Sequence, residues 1–207
     1  MLTNRHMTAE EFAECRHELP EAGRWHELHE GQPILMQPPD DLHGTTVLNL
    51  TRALAPWFQQ HSQKQHAVYA CPQIGLKVSR NPDTVYFPAI SVFDTGLPFA
   101  EADNILAETV PLLIIDVASA NDRRSDMRRR TLGYLSLGVR SVWVPDPVKK
   151  EIQIVPKKGH TISLGPWQTL IDSQVLPGFS IRVSDVFAQP EWWSKPQANA
   201  DPRSDFS

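Results

Sequence analysis

LLIIDVASANDRRSDMRRRTLGYLSLGVRSVWVPDP, residues Leu112 to Pro147, decides how this chain folds. It opens on an apolar run that ends in one acid, Asp116. Leu112, Leu113, Ile114 and Ile115 leave no polar side, as a central strand covered on both faces requires. Alternation puts Leu112, Ile114 and Asp116 on one face and Leu113, Ile115 and Val117 on the other. Asp116 thus continues an apolar face at the carboxyl end of the strand, where ligands of α/β sheets commonly sit. A carboxylate there has to be paired, metal-bound or protonated. The alternative is that Asp116 lies just outside the sheet and caps the next turn.

The following segment reads as a helix, capped by Asn121 or Asp122 and closed near Gly138. At about 100° per residue its arginines are not equivalent. Met127, Thr131, Tyr134, Leu137 and Gly138 make one stripe, and Arg130 falls inside it. Arg129 falls on the opposite face and Arg128 on the flank. Arg130 therefore points toward the sheet and the Asp116 end of the strand. A buried arginine needs a carboxylate or a phosphate, and a structural Arg130–Asp116 ion pair would explain both residues without chemistry.

Outward from this stretch the chain alternates helices and strands. Thr8 with Glu11 forms a capping box for a short helix, and PEAG ends it. RWHELHEGQPILMQPP reads as two strands around Glu30-Gly31. DDLHGTTVLNLTRALAPWFQQH has Val47, Leu50, Leu54, Trp57 and Phe58 at helical spacing, with a bend or break at Pro56. HAVYACPQIGLKV and DTVYFPAISVFD each read as a strand, and Pro88 argues for an edge or a bulge in the second. RSVWVPDP is a strand, KEIQIVPKKGHTISL a hairpin, and VLPGFSIRVSDVF a strand or turn before a short helix. The sum is an α/β domain with a mixed central sheet flanked by helices and an antiparallel C-terminal portion. Residues 1–187 read as one domain and residues 188–207 as a polar, Pro-rich tail.

At 207 residues, 41% of them apolar, the chain can bury a full core without staples. A net charge of −4 argues against a protein that coats nucleic acid through bulk charge. Cys15 and Cys71 fit neither a zinc site nor a disulfide framework. No apolar run approaches the roughly 20 residues of a membrane span, and MLTNRHMTAEEF has no signal-peptide core. The reading is a cytoplasmic protein without a membrane partner.

Several short motifs then fall in order. They are Thr8 to Phe12, then His26 to Gly31, then Pro38, Pro39 and His43. Next come Pro88-Ala89-Ile90 and Asp116-Val117-Ala118-Ser119. Asp126, Arg130, Tyr134, Gly138 and Val139 follow, then Trp143 to Pro147. The ordered set, roughly Met7 to Phe187, resembles the Uma-two type restriction endonucleases, a branch of the PD-(D/E)XK nuclease superfamily. The resemblance implies a restriction-endonuclease-like fold and a Mg²⁺-dependent phosphodiesterase site acting on DNA. In such a site an Asp and a Glu hold the ion and a Lys orients the attacking water. The ion polarises the phosphate and lowers the pKa of its water. A homodimer is implied by resemblance only.

Carried over residue by residue, the catalytic positions are Glu27, Asp116 and Arg130, with His43, Ser119 and Asp126 in support. Asp116 is the remaining metal ligand. This chain departs from the pattern at each central position. Ala89 stands where the Asp belongs and offers no ligand atom. Asp116 replaces Glu and is shorter by about 1.5 Å. Arg130 replaces Lys; it can clamp a phosphate but stays protonated. Asp94 would face the other side of its strand. The expectation is weak or absent DNA hydrolysis, with Mg²⁺ as cofactor only if the protein is active. Two alternatives remain: an active endonuclease with a rearranged site of Glu27, Asp116, Arg130 and His43, or a non-catalytic binding or structural module. Arg123, Arg124, Arg128 and Arg140 mark a local basic patch for DNA, or else ordinary solvated helix charges.

Overall fold

The computed structural model describes residues 6–62, 68–94, 99–119 and 121–190, with the side chains of 121–123 outside that description. Helix α1 (Ala9–Cys15) starts as predicted. The Thr8 hydroxyl accepts from the Glu11 N–H at 3.1 Å, and the Glu11 carboxylate accepts from the Thr8 N–H at 3.0 Å. Strands β1 (His26–His29) and β2 (Gln32–Leu35) form the expected hairpin. Glu30 and Gly31 turn it with φ of 49° and 78°, the left-handed pair whose twist matches that of the strands.

Helix α2 (Asp41–His61) is capped by the Asp40 carboxylate, which accepts from the His43 N–H at 2.8 Å. It runs through Pro56 without the expected break. Proline removes one backbone hydrogen bond. Leu50, Leu54 and Trp57 on the same helix are buried against the sheet and hold it on both sides of that gap.

The two segments read as single strands are each split. The first gives β3 (Tyr69–Pro72) and β4 (Leu76–Ser79), and the second gives β5 (Thr84–Tyr86) and β6 (Ile90–Phe93). The smaller sheet has the order β2-β1-β5-β4, whereas β3 and β6 belong to a larger one. Within these two segments the chain therefore crosses between sheets twice, at residues 73–75 and 87–89. Gly75 marks the first crossing: a Cβ there would meet Leu106 Cδ2 at 2.8 Å and the Ile105 carbonyl oxygen at 2.9 Å. Pro88 marks the second, where a missing N–H costs no ladder bond. Hence β6 is an interior strand, not an edge.

The larger sheet continues with β7 (Leu113–Ile115), β8 (Ser141–Asp146), β9 (Glu151–Pro156) and β10 (Ile162–Leu164). Its order is β10-β9-β8-β7-β6-β3. Helix α3 (Asn121–Leu137) joins β7 to β8, which pair in parallel, and Gly138 follows the helix with φ 121°. The other pairings in this sheet are antiparallel. A two-stranded β11 (Thr169–Leu170) and β12 (Ile181–Arg182) and the short α4 (Val183–Val186) close the described fold.

Each face of the larger sheet has its own core. On the α2 side Leu50, Leu54 and Trp57 pack with Leu113, Ile115, Val117, Trp143 and Ile152. On the α3 side Ile114, Val142 and Val144 pack with Met127, Tyr134 and Tyr86. Leu112, placed by alternation beside Ile114, packs on the α2 side instead; it precedes the strand and escapes its pleat. No helix among the described residues is long and apolar enough to cross a membrane. The tail from residue 191 lies outside the description.

Candidate active site

Four elements converge at the carboxyl end of β7. Asp116 follows that strand directly and donates its N–H to the Trp143 carbonyl at 3.0 Å. The antiparallel register pairs Ile90 with Ile115, and Ala89, just before β6, packs with Ile90 in the core on the α2 side. Glu27 comes from β1 in the other sheet. Its Oε1 accepts from the Phe87 N–H at 3.1 Å, close to the crossing that carries Ala89. Arg130 comes from α3, whose buried stripe is Met127, Arg130, Thr131 and Tyr134.

Arg130 is the hub. Its Nη1 and Nη2 donate to Glu27 Oε2 and Oε1 at 2.5 and 3.0 Å. Its Nε donates to Asp116 Oδ2 at 2.7 Å. The Tyr134 hydroxyl accepts from Arg130 Nη2 at 3.1 Å and donates to the same Asp116 oxygen at 2.8 Å. The Tyr86 ring lies under the guanidinium, 4.4 Å from centroid to Cζ. Arg130 and Asp116 are 0% exposed and Glu27 is 1%. Burial alone would lower the Arg130 pKa, but the Asp116 and Glu27 carboxylates hold it well above its ordinary value. Burial pushes the Tyr134 phenol well up; Arg130 opposes this and Asp116 reinforces it. Arg130 is a permanent cation here, and Tyr134 a permanent hydrogen-bond donor.

The supporting residues lie around this hub. His43 Nδ1 and Ser119 Oγ are 2.8 Å apart in a buried contact. Asp126 is turned outward, where its carboxylate accepts from Arg129 Nε at 2.6 Å. Arg124 forms a fork onto Asp146 at 2.7 and 2.8 Å and also donates to the Ala118 carbonyl at 3.1 Å. Arg140 approaches Asp94 at 3.8 Å, and Arg128 is exposed. The Arg123 side chain lies outside the described residues. Of the arginines considered for a basic patch, Arg124 and Arg140 are thus locally paired with acids.

Three contacts escaped the sequence reading. Tyr134 has a legible signal, since it stands four positions after Arg130 on the same helical face. Tyr86 has none, because its approach depends on the pairing of β1 with β5, whereas His29 stands two positions after Glu27 on the same face of β1. His29 Nε2 lies 3.1 Å from Glu27 Oε2, and its Nδ1 lies 3.3 Å from Arg129 Nη2. The ring stands between the buried hub and an open cleft lined by Ile34, Met36, Asp126 and Arg129.

The donor set does not fit the divalent ion implied by the resemblance. Mg²⁺ demands oxygen ligands in near-octahedral array. Ala89 supplies none, and it packs in the core on the α2 side. Both Glu27 oxygens and Asp116 Oδ2 already accept from Arg130. The guanidinium occupies the space between the two carboxylates. Among the described residues, no group of three or more His, Cys, Asp or Glu could hold a metal ion.

The architecture, a mixed six-stranded sheet with helices on both faces and this corner at one strand end, defines a nuclease-like α/β fold. It matches the crystal structure of a putative nuclease belonging to DUF820 from Anabaena variabilis with a TM-score of 0.69. That match covers 87% of this chain and 97% of the other at 17% identity, and so speaks for the fold alone. The profile of the family Uma2, described as "Putative restriction endonuclease", matches residues 10–184. The chain belongs to that family. No curated protein matches it.

Proposed function

We propose that this chain is a non-hydrolytic member of its family. In this reading its catalytic corner has become a structural ion cluster, and it engages DNA without cutting it. One observation carries the reading: the Arg130 guanidinium fills the gap between Glu27 and Asp116. Metal-assisted hydrolysis needs a bound ion and an ionised water. A guanidinium offers neither, because it stays protonated and has no coordination sites. Ala89 deepens the deficit, because it offers no ligand atom. Family membership is what supports DNA as the polymer.

A plasmid-nicking assay in Mg²⁺ and in Mn²⁺, paired with calorimetric metal titration, tests the reading. Wild type and the double variant Ala89→Asp/Arg130→Lys are run together. The expected result is no cleavage and no metal heat from wild type, with metal uptake restored in the double variant. Cleavage by wild type that Asp116→Ala abolishes would overturn it. DNA binding is read by fluorescence anisotropy against salt, where affinity should fall as salt rises.

A further inference from the structure

Glu27 and Asp116 belong to different sheets, are at most 1% exposed, and meet the same guanidinium. Two ionised carboxylates buried together without a cation would repel and one would protonate. The cation between them hangs from α3, so the docking of α3 on the sheets has the form of a ligand entering a site. We infer that the space between Glu27 and Asp116 is a binding site for planar guanidinium-class cations, whose resident ligand is the chain's own Arg130.

The walls suit that class and no other on offer. Glu27 presents two oxygens to two parallel N–H donors, and Asp116 takes a third donor. This fork geometry belongs to guanidinium and not to an ammonium. The Tyr86 ring covers one face of the plane, as cation–π contact requires. The Tyr134 hydroxyl accepts a further N–H while donating to Asp116. A divalent ion would find a flat aromatic wall where oxygens are needed. The inference goes beyond the proposed function and does not depend on the absence of cleavage. It states that removing the tethered side chain leaves a site that a free cation of the same class fills.

Chemical rescue of full-length Arg130→Ala tests it. Melting temperature is measured against methylguanidinium chloride in the low tens of millimolar, far below the molar range in which such salts denature. Controls are sodium chloride at equal ionic strength, methylammonium as a compact cation, and methylurea as a neutral isostere. A saturable rise of about 3–6 °C is expected at ten times the dissociation constant. Methylguanidinium should lead, methylammonium should trail, and methylurea and wild type should not respond. Glu27→Gln/Arg130→Ala, lacking the charged fork, should bind at least about tenfold more weakly. Where Arg130→Ala does not fold unaided, the same series is run as refolding additives, with the yield of folded protein as the readout. Absence of a saturable effect, an equal effect of methylurea, an equal response of wild type, or unchanged affinity in the double variant each overturns the inference. Nicking by wild type would overturn the proposed function and leave this one standing.

Discussion

The two faces of the larger sheet solve the same problem in opposite ways. On one, α2 lays Leu50, Leu54 and Trp57 onto Leu113, Ile115 and Trp143. That contact is apolar and non-directional, and its strength follows the area removed from water. On the other, α3 docks through Arg130, Thr131, Met127 and Tyr134, two of them fixed by charge and hydrogen bonds to Asp116. This contact depends on geometry, and each group in it is costly without the others. An apolar face tolerates repacking. A buried ion cluster tolerates very little.

The largest break in that contrast should come from paired substitutions. Arg130→Met leaves two buried carboxylates without their cation and should cost about 3–5 kcal/mol, as removing one partner of a buried pair does. Leu54→Met, of similar volume, should cost under about 1.5 kcal/mol. Urea unfolding of both variants measures the difference. Equal losses would mean that α3 is held by area, as α2 is.

Tyr134→Phe removes the donor to Asp116 and the acceptor for Arg130 while preserving shape. It should cost about 1–3 kcal/mol, the range for a buried polar group left unsatisfied. A loss within error of zero would reduce the cluster to the three charged groups.

Alkaline pH sharpens the contrast further. The three tyrosines of the chain, Tyr69, Tyr86 and Tyr134, all have pKa values raised above the ordinary 10.0, chiefly by burial. Neutral phenol is thus favoured in the fold. Stability is unaffected below the unfolded value and is lost as pH rises above it toward the folded one. For Tyr134 the slope is about 1.4 kcal/mol per pH unit in that window. Tyrosinate absorbance should therefore appear together with unfolding seen by circular dichroism. A tyrosinate step near pH 10 in protein that remains folded would contradict the burial.

The smallest effect should come from Arg129→Ala. Its side chain is 55% exposed and pairs with Asp126 within one turn. Such pairs contribute about 0–1 kcal/mol. The neighbouring arginines of one run, RRR, then span the whole range from negligible to severe.

That run shows what could be read beforehand. Helical periodicity separated Arg130 from Arg128 and Arg129, because a single turn of helix fixes which residues face inward. Strand alternation put Asp116 on the face of Ile114, toward the same helix. Glu27 and Ala89 were reached only through the family resemblance, since nothing local links residue 27 or 89 to residue 116. The split strands went unread because Pro72, Gly75 and Pro88 change the sheet to which the chain belongs, not its local conformation.

By itself, then, the sequence determined helices α1, α2 and α3, the β1–β2 hairpin and which residues of α3 face inward: periods of about 3.6 and 2 are properties of the backbone. It placed an arginine and an acid on facing surfaces of α3 and β7. Only the tertiary structure decided that Glu27 completes the cluster, that Tyr86 and Tyr134 enclose it, and that the guanidinium fills the space between the acids. Those contacts join residues up to 103 positions apart. Their distances are set by how the two sheets pack on each other, which no local pattern encodes.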